Sequence, residues 1–253
     1  MNNSLSGILK TANHYLKVLP QAPPIHPLNK PLSKYLDCAL HNPEATPAMV
    51  EALCAEAAAN QYATVFINPI FVAQVKGLLL GSGVNVGTVT GFPLGGFPSE
   101  IKVQEAQFYM DAGADEIDMV ISVGMLKAEA YQYVMDDIHQ VVEVVHSKGG
   151  LVKVILETAL LNRREKIIGC LICKAASADF VKTSTGFSKG GATAADIDLM
   201  RRVVGPAEEM GVKAAGGIHT LSDVMVMINA GADRLGTRLG AQILEEFRQT
   251  QHS

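Results

Sequence analysis

The sequence has no tryptophan, and only 6% of its 253 residues are aromatic. Its core must be filled with aliphatic side chains and alanine, which suits helices packed closely on a sheet. No apolar stretch reaches the roughly 18 residues of a membrane-spanning helix. Nor is there an excess of positive charge: 21 Lys and Arg stand against 25 Asp and Glu, a formal net charge of −4. A mildly acidic chain has no electrostatic reason to bind nucleic acid or an anionic membrane surface. Cysteines are few: Cys38, Cys54, Cys170 and Cys173. The last two form a C-x-x-C inside an apolar run that reads as a helix, so both lie on one apolar face. With no second Cys or His pair to complete a zinc site, they are read as core packing. The opening residues, Met1-Asn-Asn-Ser-Leu-Ser, lack the charged-then-apolar order of a secretory signal. Reduced thiols and a cytoplasmic location are the expectation.

What the chain does have is alternation. Residues 1–33 read as an N-terminal extension, because Pro20, Pro23, Pro24, Pro27 and Pro31 exclude a regular helix from its second half. Over residues 34–253, strand-like runs alternate with helical ones. The strands are expected at Tyr35–Cys38, Ala63–Ile67, Asn85–Thr90, Glu116–Ile121, Leu151–Leu156, Phe180–Thr183, Gly211–Ala214 and Arg234–Thr237. Helix starts are marked by Thr46-Pro47, by the capping-box patterns Asn162…Glu165 and Thr193…Asp196, and by Thr220. Ala112-Gly-Ala-Asp115, Ala176-Ser-Ala-Asp179 and Ala230-Gly-Ala-Asp233 repeat one helix-to-strand turn. Eight such units predict an α/β fold of the (β/α)8 barrel type, in a single domain. An open doubly wound sheet is the second choice, weakened by the missing G-x-G-x-x-G after the first strand.

In such a barrel, chemistry gathers at the C-terminal ends of the strands. Four consecutive strands carry charge inside apolar runs: Glu116 and Asp118, Lys153, Lys182, and Lys213. Any one of them alone reads as a structural ion pair. Together in one lumen they suggest an amine held partly neutral by burial and by neighbouring cations, hence a nucleophile. Asp118 then becomes its proton-transfer partner. Glycines follow the last three strands at Gly186, Gly216-Gly217 and Gly236. There backbone N–H groups and a helix start can hold a phosphate, with Arg238 as an added cation. The loop from Gly91 to Pro98 either walls the pocket or simply ends its strand.

Glu116-Ile-Asp-Met-Val, Lys153-Val-Ile-Leu-Glu-Thr158, the run from Phe180 to Thr193, and Val212-Lys-Ala-Ala-Gly-Gly-Ile218 closely resemble the deoxyribose-phosphate aldolase family. The similarity extends from about Tyr35 to Leu244 and includes Gly91-Phe-Pro-Leu-Gly95; the strand-six motif is highly specific. This resemblance implies a class I aldolase that needs neither metal nor cofactor. It implies Lys182 as the Schiff-base lysine, with Asp118 and Lys213 handling protons. Lys153, Thr183, Thr185 and Asp37 are implied around the substrate, and Gly186, Gly216, Gly217 and Gly236 near its phosphate, where Arg238 is the cation this sequence adds. The implied substrate is 2-deoxy-D-ribose 5-phosphate, split reversibly into acetaldehyde and D-glyceraldehyde 3-phosphate. A homodimer is expected on the same ground.

The sequence departs from that pattern at the substrate end. Asp37-Cys38-Ala39 lacks a pocket hydroxyl, and Gly236-Thr237-Arg238-Leu239 replaces a serine-containing phosphate loop. His219 stands where arginine is common, and the C-terminus from Phe247 to Ser253 has no tyrosine. Two alternatives therefore accompany the leading reading. One is imine chemistry on a differently substituted, non-phosphorylated acceptor. The other is a non-catalytic binding barrel, against which the joint presence of Asp118, Lys182 and Lys213 argues.

Overall fold

Eight parallel strands close on themselves in sequence order, with helices between them. This computed structural model describes residues 4–25 and 28–251. The first three residues, Pro27, and His252-Ser253 at the tyrosine-free C-terminus lie outside the described residues. The strands are β1 Leu36–Leu40, β2 Thr64–Ile67, β3 Asn85–Thr90, β4 Glu116–Val120, β5 Leu151–Ile155, β6 Phe180–Lys182, β7 Gly211–Ala215 and β8 Arg234–Thr237. All eight expected strands are present. The main shift is at β1, which runs on to Leu40 and so brings Ala39 into the barrel wall.

The helices are α1 Leu5–Lys17, α2 Pro47–Asn60, α3 Val72–Leu78, α4 Ser99–Asp111 and α5 Val123–Lys127. They continue as α6 Tyr131–Ser147, α7 Arg163–Ala175, α8 Ala194–Val204, α9 Leu221–Asn229 and α10 Gly240–Gln251. The strands are buried on both faces, so their apolar runs are nearly continuous. By the period of two, Ile117 and Met119 face the helices while Glu116 and Asp118 face the lumen. The extension opens with α1, which packs on α7 through a face that buries Ile8 and Ala12. Beyond it the described residues 18–25 and 28–31 contain no helix. They are tied down by Arg202 donating to Pro20 O at 3.3 Å and Lys30 donating to Asp233 O at 3.2 Å. Cys170 and Cys173 are free thiols buried in α7, as packing residues should be. No described helix is long and apolar enough to cross a membrane.

The helix starts follow the sequence signals with one difference. Thr46 accepts from Met49 N at 3.3 Å, and the Asn162–Glu165 capping box is complete. Thr220 and Asp223 form a second complete box. At α8 only half forms: Thr193 accepts from Asp196 N, but the Asp196 carboxylate turns to Lys166 at 2.5 Å. A cation across the helix pair competes better for that carboxylate than a neutral backbone N–H.

The repeated Ala-x-Ala-Asp turn has one job at each occurrence. In each, the aspartate's backbone N–H and side chain hold the strand before it. Asp115 donates to Val86 O and accepts from Val86 N; Asp179 does so with Val152, and Asp233 with Val212. Each carboxylate also meets a basic side chain: Lys76, His146 and Arg201 respectively. The third pair is the most buried, and Arg201 is only 3% exposed. Asp233→Ala should therefore cost about 3 kcal/mol, the range for removing one partner of a buried pair. Urea unfolding checks this, and a change below about 0.5 kcal/mol, the size of an ordinary surface substitution, would show the staple to be idle.

Candidate active site

The lumen carries a charged ladder from the middle of the barrel toward the C-terminal strand ends. Strand register sets Asp118 beside Lys153 and Lys182 beside Lys213. Asp118 Oδ2 accepts from Lys182 Nζ at 2.7 Å and from Lys213 Nζ at 2.9 Å. Its other oxygen lies 3.5 Å from Lys153 Nζ. Lys153 is also paired with Glu116, and Lys213 with Asp37 at 2.7 Å. Arg234 closes the ladder by bridging Asp37 and Glu116. Lys182 differs from the other cations: among the described residues its one carboxylate partner is Asp118.

Four cationic side chains thus face three carboxylates. Charge balance favours one neutral amine, and Lys182, buried with a single carboxylate partner, is the one selected. Desolvation outweighs the attraction of Asp118, and Lys213 and Lys153 add repulsion, so its pKa falls to about 8. Lys153 moves the other way, because Glu116 and Asp118 together overcome its burial. Asp118 is held well below the usual carboxylate range: burial opposes this, but Lys182, Lys213 and Lys153 prevail.

Above the ladder is a cavity of about 460 Å³, lined at its base by Lys182, Lys213 and Phe66. Gly186, Gly216, Gly217, His219 and Arg238 line it from the loops after β6, β7 and β8, whereas Gly236, expected after the last strand, lines it from within β8. Thr185 is there too, its hydroxyl donating to Glu157 Oε2 at 2.5 Å. Four other expected site residues are near but not on the cavity wall. Asp118, Lys153 and Asp37 sit inside the ion ladder. Thr183 points at β7, donating to Ala215 O and accepting from Ala215 N, both at 3.1 Å. That exchange extends the β6–β7 ladder past the end of β6 and fixes the direction in which Lys182 leaves its strand.

Several functional positions carry weak sequence signals. Phe66 lies beneath the lysines, its ring centroid 3.7 Å from Lys213 Nζ and 4.6 Å from Lys153 Nζ. An electron-rich face there stabilises cations that water cannot reach. The available hint was a glycine within a strand, which marks close approach. A Cβ on Gly87 would meet the Phe66 ring at 2.5 Å, and one on Gly211 would meet Phe180 at 2.0 Å. Glu157 was legible only as part of a motif; it accepts from both Thr185 N and its hydroxyl. The loop from Gly91 to Pro98 belongs to the rim. Its Phe92 ring lies 5.5 Å from His41 and edge-on to Phe187 at 5.4 Å. The described residues contain no group of three or more His, Cys, Asp or Glu able to hold a metal ion.

Known proteins resemble this chain in sequence and fold. Residues 36–246 match a family model described as DeoC/LacD family aldolase. The deoxyribose-phosphate aldolase of Thermotoga petrophila is 53% identical over 203 residues, 80% of each chain. That of Thermococcus gammatolerans is 50% identical over 222 residues, 87% of this chain and 98% of the relative. Among solved structures, the deoxyribose phosphate aldolase of Aeropyrum pernix, described as tetrameric, aligns with a TM-score of 0.79 at 32% identity. The alignment covers 98% of this chain and 99% of that one. With half of its residues shared over most of its length and a lysine-bearing barrel of the same architecture, the chain belongs to the deoxyribose-phosphate aldolase (DeoC/LacD) family of lyases.

Proposed function

We propose that the protein cleaves 2-deoxy-D-ribose 5-phosphate reversibly into acetaldehyde and D-glyceraldehyde 3-phosphate, through a Schiff base on Lys182. The observation that carries this reading is a buried lysine at the base of a cavity, its pKa lowered to about 8, bonded to one shared aspartate. The neutral amine attacks C1 of the open-chain aldehyde, and loss of water gives an imine. Protonated, that imine accepts the electron pair released when the C3 hydroxyl loses its proton and the C2–C3 bond breaks. The products of this step are glyceraldehyde 3-phosphate and an enamine on Lys182. Protonation at C2 and hydrolysis then release acetaldehyde and restore the amine.

Asp118 and Lys213 are the groups placed to move these protons. While Lys182 is an ammonium, Asp118 serves two close cations and is a weak base. Whenever the Lys182 nitrogen is uncharged, as in the carbinolamine and the enamine, one of those cations is gone and the basicity of Asp118 rises. Lys213 stays hydrogen-bonded to it and can return a proton. At the other end Gly216 and Gly217 both take positive φ, +86° and +78°, so that their backbone N–H groups can line a concave anion site. Arg238 lines the same wall. This cation favours a phosphorylated substrate over an uncharged one, and it stands where the sequence lacks the serine loop.

The test is reductive trapping. With acetaldehyde and cyanoborohydride, Lys182 should gain an ethyl group, located by peptide mass mapping. The initial rate should rise with pH up to about 8 and level off above it, because below that value the amine is mostly a non-nucleophilic ammonium. A midpoint at the ordinary lysine value of about 10.4, or label on other lysines alone, would remove the proposal.

A further inference from the structure

One polar side chain on the cavity wall has no role in the chemistry just described. His41 lines the cavity with Lys182 and Arg238, yet neither ring nitrogen has a hydrogen-bond partner. Both nitrogens are also screened from solvent. Buried polar atoms are nearly always bonded, and an exception at a binding cavity points to a partner that arrives with the ligand. The flanking groups supply none: the ring sits between Phe66, 6.4 Å away, and Phe92, 5.5 Å away. The torsion that turns an imidazole about its Cβ–Cγ bond is broad, so the ring can present a nitrogen to the cavity at little expense.

The barrel fixes which part of a substrate His41 can reach. It follows β1, where Cys38 pairs with Thr237 of β8 and Ala39 pairs with Phe66 of β2. The segment from 39 to 41 therefore climbs beside Arg238, with β8 and β7 between it and Lys182 on β6. Ala39 lines the same cavity and offers only a methyl group, which leaves His41 as the hydrogen-bonding side chain of this wall. A five-carbon chain joined to Lys182 at C1, with its phosphate toward Arg238, spans the cavity that His41 lines. Burial first, then the cations Lys182, Lys213 and Arg238 against Asp118, lower the ring's pKa to about 3. A ring that stays neutral suits a hydroxyl and adds nothing to an anion site.

We propose that His41 binds the C4 hydroxyl of the sugar phosphate, which is the hydroxyl beside the carbonyl in the acceptor aldehyde, and so selects 2-hydroxyaldehyde acceptors. The proposal rests on the Lys182 reading and deepens it by naming the acceptor class. A site that hydrogen-bonds a substrate hydroxyl rejects the analogue lacking it, because its own polar group is then stranded.

The experiment compares kcat/KM for acetaldehyde addition to D-glyceraldehyde 3-phosphate and to 3-oxopropyl phosphate, which lacks the hydroxyl. In wild type the ratio should strongly favour the hydroxylated acceptor. His41→Leu should lower that ratio by about tenfold or more, and His41→Gln, which keeps a donor and an acceptor, should restore most of it. A ratio unchanged in His41→Leu, or rates for both acceptors falling together, overturns the assignment and leaves His41 as packing. Trapping of acetaldehyde on the wild-type protein is run alongside. Absence of the Lys182 adduct sinks the reading beneath, whereas an adduct with an unchanged ratio sinks only the role of His41.

Discussion

Replacement of Lys182 by methionine is expected to abolish carbon–carbon bond cleavage, lowering kcat/KM by about 10⁴-fold or more, the scale for loss of a covalent nucleophile. Methionine has a similar length and no charge, so it fills the same space at the end of β6. The ion ladder survives the change, because Asp118 keeps Lys213 at 2.9 Å and Lys153 at 3.5 Å. Thermal and urea midpoints should accordingly stay close to wild type. Cleavage assayed with deoxyribose 5-phosphate, together with the loss of acetaldehyde trapping, checks the prediction. Retained turnover in a variant with no amine at this position would mean that the chemistry lies elsewhere.

Asp118→Asn separates the two functions of the carboxylate. Lys153 retains Glu116 and Lys213 retains Asp37, so neither is left without a counter-charge. Lys182 has no second carboxylate among the described residues. Its ammonium loses its stabilising partner, and the amine should become neutral at lower pH than in wild type. The sign follows from Asp118 being the group that raises the Lys182 pKa against burial. Trapping with acetaldehyde should therefore persist, with its pH midpoint displaced downward from about 8. Turnover should nevertheless fall by about 10²–10⁴-fold, the usual contribution of a positioned general acid or base. Parallel pH profiles of trapping and of kcat test the split. If the trapping midpoint moves upward, or if kcat is untouched, Asp118 is neither the electrostatic partner nor the proton carrier described above.

Much of the site could be read in sequence order because the barrel turns chain order into neighbourhood. Charged residues on β4, β5, β6 and β7 become adjacent simply because those strands pair in succession. Period-two alternation then puts Glu116 and Asp118 on one face without further information. The Ala-x-Ala-Asp turns were legible for a related reason: a local conformation repeats wherever a helix returns to a strand. Their aspartates, however, act across chain separations of 21 to 29 residues. The pattern revealed the turn but not the staple.

Other residues had no such local signature. Arg234 reaches Asp37 and Glu116 only because β8 closes against β1, which brings together residues almost 200 positions apart. Thr183 belongs to the most specific motif in the sequence, yet its hydroxyl holds β7 and stays off the cavity wall. Side-chain direction at the last residue of a short strand depends on what lies beside it. His41 has no local signature in the sequence. Its unbonded nitrogens become informative only once the cavity and the surrounding rings are in place.

The sequence by itself determined the element order and the barrel, and it singled out Lys182, with Asp118 and Lys213, as the candidates for a reactive lysine and its proton-handling partners. Each of these rests on local periodicity or on side chains whose burial is costly unless they react or pair. Tertiary structure alone decided the distribution of charge among the cations and the amine left without a second counter-ion. It also decided which groups face the substrate and which hold the wall. Those outcomes depend on distances between strands far apart in the chain, and electrostatic energy in a dry lumen varies too steeply with distance for spacing along the sequence to specify it.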